Sequence, residues 1–107
     1  MSAPLPELIE LRRAEIRGLA ETHHVVSLAL FGSAATGEFD STTSDLDFVV
    51  RFGDMPAARH ADAYFGLLES LERLFGRPVD LLEDQAIRNR YLRQAIDDSK
   101  RSLYEAA

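Results

Sequence analysis

Two aspartates one residue apart, Asp45 and Asp47, have the clearest capacity for chemistry in this sequence. They open the apolar run "LDFVV", which follows a stretch of small and polar residues. If that run is a strand, residues i and i+2 face the same side, roughly 6.6–7 Å apart. Two carboxylates at this separation repel each other by about 2.5 kcal/mol at an effective dielectric constant near 20. A divalent cation such as Mg²⁺ or Mn²⁺, which prefers oxygen ligands, would offset the repulsion and leave positions open for substrate phosphates.

The same pair has a plainer interpretation, in which Asp45 is a solvated loop-end residue and Asp47 pairs with an arginine. For an isolated D-x-D pattern this interpretation is at least as common. A third carboxylate, Asp80 in "PVDLL", changes the balance if its strand lies beside the first. Three carboxylates would then converge, as in two-metal phosphoryl transfer. Taken alone, Asp80 would more commonly be a capping or salt-bridged residue.

Gly32 and Ser33 follow the apolar run "VVSLALF" and form a candidate phosphate-binding turn. A glycine after a strand lets the backbone approach a ligand closely, and a helical turn starting near Ser33 would point N–H groups outward. Ser33 adds a hydroxyl donor for a phosphate oxygen. A simple glycine turn with a serine cap is the common alternative, and the aspartates downstream favour the binding interpretation.

Two other ligand-binding motifs match this stretch only in part. "GSAATGEF" has the glycine spacing of a P-loop, but Glu38 and Phe39 stand where Lys and Ser or Thr are required, and Glu38 would repel phosphates. "DSTTSDLDFVVR" places Asp45 where an EF-hand requires glycine and Arg51 where it requires a bidentate glutamate. Both motifs are excluded.

Length and composition limit the classes of protein that this chain can be. At 107 residues it is predicted to form a single domain, residues 1–107, and 46% hydrophobic with 28% charged residues is typical of a globular protein. A net charge of −6 opposes binding to long nucleic acid through its phosphates. The chain has no cysteine, no signal-peptide pattern at its N-terminus and no apolar run long enough to cross a membrane. We therefore predict a cytoplasmic protein without membrane association.

The hydrophobic spacing predicts an α/β fold with a small mixed sheet flanked by helices. In chain order, the predicted elements are a helix over about 4–23, strands over 25–31 and 46–52, a helix to about Phe75 that ends at Gly76, a strand over 78–83, a helix capped by Asp84, and a short edge strand in "RSLYEAA". On the second strand, strict alternation turns Leu46 and Phe48 to one face and Asp45, Asp47 and Val49 to the other.

Gly32-Ser33, a spacer, Asp45-x-Asp47 on a strand and a later strand aspartate together resemble the DNA polymerase beta-like nucleotidyltransferase superfamily. The segments "ADAYFGLLESLERLFGRPVDLLE" and "AIRNRYLRQAI" resemble its minimal nucleotidyltransferase branch, the MntA-type proteins. This resemblance implies a small nucleotidyltransferase fold that transfers a nucleoside monophosphate from a triphosphate and releases pyrophosphate. It further implies that Gly32 and Ser33 hold the triphosphate, that Asp45 and Asp47 ligate Mg²⁺, and that Asp80 completes the metal site and helps to deprotonate the acceptor hydroxyl.

The resemblance also implies a partner, because proteins of this branch are typically antitoxins that neutralise a HEPN-domain ribonuclease toxin by binding it and adding AMP to a tyrosine. We therefore predict two Mg²⁺ ions, ATP as substrate and a HEPN-domain toxin as partner. Two alternatives stay open: a binding module that neutralises its partner without catalysis, and transfer to a small molecule or RNA. Ala34, Ala35 and Thr36, where relatives frequently carry arginine, motivate the first alternative.

Overall fold

The computed structural model describes residues 5–37 and 45–106, which build one four-stranded sheet with helices packed against it. Its strands are β1 (Val25–Phe31), β2 (Leu46–Phe52), β3 (Val79–Glu83) and β4 (Arg101–Glu105), and its helices are α1 (Glu7–Glu10), α2 (Arg13–Thr22), α3 (Ser33–Thr36), α4 (Ala57–Phe75) and α5 (Arg90–Ser99). The strand order is β3-β2-β1-β4. β1 runs antiparallel to β2 and β4, whereas β2 and β3 are parallel. The predicted α/β fold with a mixed sheet is confirmed, including the short edge strand at the C-terminal end.

The first predicted helix is two helices, because the chain breaks between α1 and α2 at Leu11 and Arg12. No proline or glycine lies between residues 7 and 17, so the break is a product of packing rather than of local sequence. Ile9 and Ile16 are both fully buried on either side of the break, while Leu11 is 68% exposed. The interruption thus lets each short helix bury its own apolar residue.

One face of the sheet carries the main hydrophobic core. The side chains of β2 that alternate toward it are at most 3% exposed, and they are Leu46, Phe48, Val50 and Phe52. Helix α4 packs on this face through Leu67 and Leu71, both fully buried, and ends at Gly76 in the left-handed conformation that glycine adopts most easily. The odd-numbered side chains of β2 therefore lie on the opposite face of the sheet.

The opposite face is only partly covered. Val49, predicted to share this face with Asp47, is nevertheless 5% exposed, because the 3-10 turn Asp84–Ala86 after β3 packs against β2. Arg93 of α5 donates to both the side chain and the carbonyl oxygen of Asp84, which ties the helix to this turn. The uncovered part of the face is the end that contains Asp47.

The start of α5 differs from the sequence prediction. Asp84 is an ion-pair partner of Arg93 and Arg51 rather than a helix cap. Asn89 caps the helix instead, since its side chain accepts hydrogen bonds from the backbone N–H groups of Tyr91 and Leu92 at 2.8 and 3.0 Å. An Asp and an Asn five residues apart are both good caps, so the sequence could not choose between them.

Across residues 5–37 and 45–106, none of the helices combines the length and the apolar character that a membrane span requires.

Candidate active site

Asp47 and Asp80, from separate stretches of the sequence, meet on neighbouring strands. In the parallel pairing of β2 with β3, Asp47 lies directly opposite Asp80, about 4.8 Å away across the sheet. When Asp47 is protonated, it can donate a hydrogen bond to Asp80. Asp47 is half-buried and Asp80 is exposed, so the pair opens toward solvent. The convergence of these two carboxylates is the central feature of the site.

Asp45 stands at the entrance to β2, at the border of the described residues, and is exposed. Its charge acts on Asp47, as expected for residues i and i+2 on one face. Among residues 5–37 and 45–106, no three His, Cys, Asp or Glu side chains already stand in a metal-binding arrangement. The site therefore consists of a contacting pair, Asp47 and Asp80, with Asp45 as a nearby third charge.

The pKa of Asp47 is raised from its ordinary value of 3.8 to about 6. Partial burial is the largest cause, followed by the hydrogen bond that protonated Asp47 donates to Asp80 and by the negative charges of Asp80 and Asp45. Carboxylates placed together at this cost are typical of functional sites rather than of structural ion pairs. The predicted alternative, in which Asp47 pairs with an arginine, would have lowered the pKa instead.

Gly32 turns the chain directly beside Asp47. Its φ of 71° and ψ of −152° lie in a region open almost only to glycine. A Cβ atom at this position would overlap Oδ2 of Asp47 and lie 3.3 Å from its Cγ. Ser33, half-buried, then begins the single turn of α3. The glycine turn predicted at Gly32-Ser33 thus lies against Asp47, which was predicted to act on the same triphosphate through a metal ion.

The donor set at this end of the sheet suits a hard cation. Asp47 and Asp80 offer carboxylate oxygens in contact with each other, and Asp45 adds another charge within interaction range. Oxygen ligands of this kind bind Mg²⁺ or Mn²⁺ with positions left for phosphates and water. The raised pKa of Asp47 reflects crowded negative charge, which a divalent cation would offset. The residues present fit a Mg²⁺ site with Asp47 and Asp80 as its first ligands.

Two side chains of α4 that the sequence did not single out, Tyr64 and His60, contact β3, the strand that carries Asp80. The hydroxyl of Tyr64 donates a hydrogen bond of 2.7 Å to the carbonyl oxygen of Leu81, and burial together with the charges of Glu83 and Asp80 raises the pKa of Tyr64. His60, which had no evident partner in the sequence, contacts Glu83. Tyr64 precedes Leu67 and Leu68 at the i, i+3, i+4 spacing of a core-facing helix. Its hydroxyl within this apolar stripe is the one signal in the sequence that could have indicated the contact with β3.

The identity of the fold follows from comparison with known families. A family model, the nucleotidyltransferase domain, matches residues 13–103. The chain belongs to the nucleotidyltransferase domain family. The match spans β1, β2, β3 and the first three residues of β4, and it includes the Gly32, Asp47 and Asp80 positions. This protein is therefore a nucleotidyltransferase.

Curated relatives of this nucleotidyltransferase come from Methanocaldococcus jannaschii. MJ1379, named as a protein adenylyltransferase, is 35% identical over 94 residues, which are 88% of this chain and 92% of that protein. MJ1215, which bears the same name, is 36% identical over 83 residues, 78% of this chain and 92% of its own length. These relatives extend over nearly the same length as the chain itself.

Solved structures share the architecture. A minimal nucleotidyltransferase superposes with a TM-score of 0.66 at 32% identity, covering 85% of this chain and 89% of that one. The MNT antitoxin in complex with the tri-AMPylated HEPN toxin of Shewanella oneidensis superposes with a TM-score of 0.63 at 20% identity, covering 91% and 72%. A toxin–antitoxin structure with AMP-PNP reaches 0.66 at 21% identity, covering 88% and 73%. At identities near 20% the last two likenesses show the fold.

The raised pKa of Asp47 predicts a pH-dependent stability for this nucleotidyltransferase. Because Asp47 holds its proton up to about pH 6 when folded and loses it near pH 3.8 when unfolded, the folded state binds more protons in that window. The contribution of this proton to the unfolding free energy is fully present below pH 3.8 and is lost as the pH rises through 6. We expect the difference in unfolding free energy between wild type and Asp47→Asn to grow, in favour of the variant, from pH 4 to pH 7, as measured by urea unfolding without divalent cations.

Magnesium provides the matching control for this pH experiment. At pH 7, Mg²⁺ should raise the unfolding free energy of the wild type more than that of Asp47→Asn, since a bound cation stabilises the state that binds it. A pH-independent difference between the two proteins would contradict the assignment of the raised pKa to Asp47.

Proposed function

We propose that this nucleotidyltransferase transfers AMP from ATP to a tyrosine hydroxyl of a HEPN-type toxin, in a reaction that depends on Mg²⁺ held by Asp45, Asp47 and Asp80, and that it thereby acts as an antitoxin. The contact between Asp47 and Asp80 on adjacent strands, beside Gly32, carries the proposal. Relatives named as protein adenylyltransferases support a protein as the acceptor. The complex with an AMPylated HEPN toxin supports the class of partner.

The chemical step is a displacement at the α-phosphorus of ATP. The acceptor oxygen forms a bond to that phosphorus, the bond to the bridging oxygen of the β-phosphate breaks, and pyrophosphate leaves. The hydroxyl proton passes to Asp80, the solvent-exposed carboxylate of the pair. When bound, Mg²⁺ supplies neutralisation of the triphosphate charge and polarises the α-phosphate. The chain itself contributes mainly positioning and charge, as in phosphoryl transfer generally.

Gly32 and Ser33 would hold the triphosphate in this reaction. Because Gly32 has no side chain, the backbone of the turn lies against Asp47, and phosphate oxygens can approach both together. In this proposal the Ser33 hydroxyl, next along the chain, donates a hydrogen bond to one of these oxygens. The whole chain, residues 1–107, forms the catalytic domain in this proposal, and acceptor specificity comes from the bound partner.

The position of an isotope label in ATP provides a direct test of AMP transfer. The protein is incubated with a purified HEPN-type partner, Mg²⁺ and ATP labelled either at the α-phosphate or at the γ-phosphate. Transfer of AMP should label the partner from α-labelled ATP alone, and peptide mass spectrometry should locate the added mass on a tyrosine. Labelling from γ-labelled ATP would indicate phosphorylation, and no labelling from either would contradict the proposal.

A second candidate is a binding module that neutralises its partner without catalysis. It is favoured by the sequence of α3, "SAAT", which offers no arginine to a phosphate. The double variant Asp45→Ala/Asp47→Ala separates the two functions, provided that it is shown to fold and to bind the partner. Loss of neutralisation by this variant supports catalysis, whereas full neutralisation supports binding alone.

A further inference from the structure

Lys100 is the single lysine of the chain and lies at the junction between α5 and β4. From its placement we propose that Lys100 binds the β- or γ-phosphate of the nucleoside triphosphate, an inference that rests on the proposed nucleotidyl transfer. In the sequence, its neighbours in "DDSKR" indicate only a solvated surface. The tertiary structure places it at the same end of the sheet as the catalytic carboxylates.

The strand pairing defines this position. β2 and β1 place Asp47 opposite Phe31, and β1 and β4 place Leu30 opposite Arg101. The residue before Arg101 therefore lies level with the row that contains Phe31 and Asp47. Lys100 is two strand spacings from Asp47, roughly 10 Å at the backbone. An extended triphosphate and the flexible four-carbon stem of lysine together span that separation.

The side chain of Lys100 reaches the face of the sheet that carries Asp47. It lines a pocket of 220 Å³ together with Ala29, Val49 and Ser102. These three residues form one row across the sheet, since Ala29 pairs with Val49 on one side and with Ser102 on the other. Val49 follows Asp47 by two residues and so faces the same way. Lys100 is thus a cation on the same face of the sheet as Asp47, at the sheet edge formed by β4.

The neighbouring arginines either face the core or are paired with a carboxylate away from Asp47. Arg101 pairs with the fully buried Leu30, so strand alternation turns it toward the core face. Arg51 shares the Asp47 face but lies four residues beyond Asp47, and Asp84 is 3.7 Å from its guanidinium. Helix α3, with the sequence "SAAT", contains no cation. A triphosphate beside Gly32 would therefore meet Lys100 rather than Arg51 or Arg101.

The ion pair that Lys100 forms is weak enough for a phosphate to replace its partner. Its ammonium lies 3.3 Å from the carboxylate of Asp97, one turn earlier in α5, and the two side chains are 44% and 42% exposed. Such exposed pairs contribute little to stability, because solvent screens both charges. A phosphate group, with more negative charge and more acceptor oxygens, can displace Asp97 at small cost.

Affinity for ATP compared with AMP tests the proposal. With Mg²⁺ present, Lys100→Ala should weaken ATP binding by roughly 10- to 100-fold, as expected for loss of a charged hydrogen bond, and leave AMP binding unchanged. Lys100→Arg should retain most of the ATP affinity. Arg88→Ala, which removes a positive charge two residues before the start of α5, is the matched control and should behave as wild type.

Chemical labelling gives an independent measurement, since Lys100 carries the only side-chain amine. Pyridoxal 5′-phosphate followed by borohydride should modify Lys100, as located by peptide mass spectrometry, and ATP with Mg²⁺ should protect it more than AMP does. The N-terminal amine serves as an internal reference. Equal protection by ATP and AMP, or none by either, would overturn the proposal.

The outcomes separate this inference from the proposed function. If the wild type binds ATP and labels its partner while Lys100→Ala does both equally well, only the role of Lys100 is overturned. If Lys100→Ala binds ATP normally but labels its partner more slowly, Lys100 contacts the acceptor, and the phosphate assignment is again overturned. If the wild type binds no ATP in the presence of Mg²⁺, both proposals fail.

Discussion

Asp47→Asn is expected to lower AMP transfer by about 10³-fold or more, which is about 4 kcal/mol in activation free energy, while making the folded protein more stable than wild type. The loss of activity follows because an amide is a poor ligand for Mg²⁺, and without the bound cation the charge of the triphosphate is not offset. The gain in stability follows because the carboxylate of Asp47 is half-buried beside Asp80 and Asp45, which raises its pKa to about 6. After discounting for solvent screening, the gain at pH 7 should be on the order of 1 kcal/mol.

The opposite signs of these two effects make the Asp47 experiment informative. Initial rates of partner labelling from α-labelled ATP give the first, and urea unfolding of the unliganded protein gives the second. Asp54→Asn, an exposed aspartate beyond the far end of β2, is the control and should change neither. A variant that lost activity and stability together would mean that Asp47 supports the fold rather than the chemistry.

Gly32→Ala is expected to reduce both stability and activity. A residue with a Cβ atom is strained at the φ of 71° found here, and the cost is about 1–3 kcal/mol in unfolding free energy. The same Cβ would overlap the carboxylate of Asp47 and force it to turn away. Displacement of a catalytic group by about 1 Å is enough to lower the rate by roughly 10²-fold.

Gly18→Ala is the matched control for this substitution. A Cβ at Gly18 has no atom within 4 Å, and the residue lies in helix α2, where alanine is favoured over glycine by up to about 1 kcal/mol. We therefore expect Gly18→Ala to be as stable as wild type or more so, with unchanged partner labelling. A Gly32→Ala protein with wild-type activity would show that the turn does not position Asp47.

Much of the fold could be predicted because its signals are local. The apolar runs of β1 and β2 match the observed strands residue for residue, since strict alternation determines which side chains can be buried. Where two local signals competed, prediction was wrong in detail: Asp84 and Asn89 are both good caps, and only the ion pairs of Asp84 with Arg93 and Arg51 decided between them. The break between α1 and α2 likewise has no local signal.

The candidate site was predicted in its residue types and not in its contacts. Asp45 and Asp47 share a face because they are two residues apart on a strand, which is a property of any strand. The contact of Asp47 with Asp80 depends on which strands are neighbours and in what register they pair, and β3 reaches this position only through the crossover by α4. The partner of His60 could not be predicted for the same reason, because Glu83 lies on another element.

The sequence by itself determined the strands, the glycine turn and the set of carboxylates, because backbone alternation and residue chemistry act over a few neighbouring positions. Only the tertiary structure decided that Asp80 meets Asp47, that Gly32 lies against its carboxylate and that Lys100 shares its face. These contacts join residues far apart in the chain, and the packing of the whole sheet and its helices sets them.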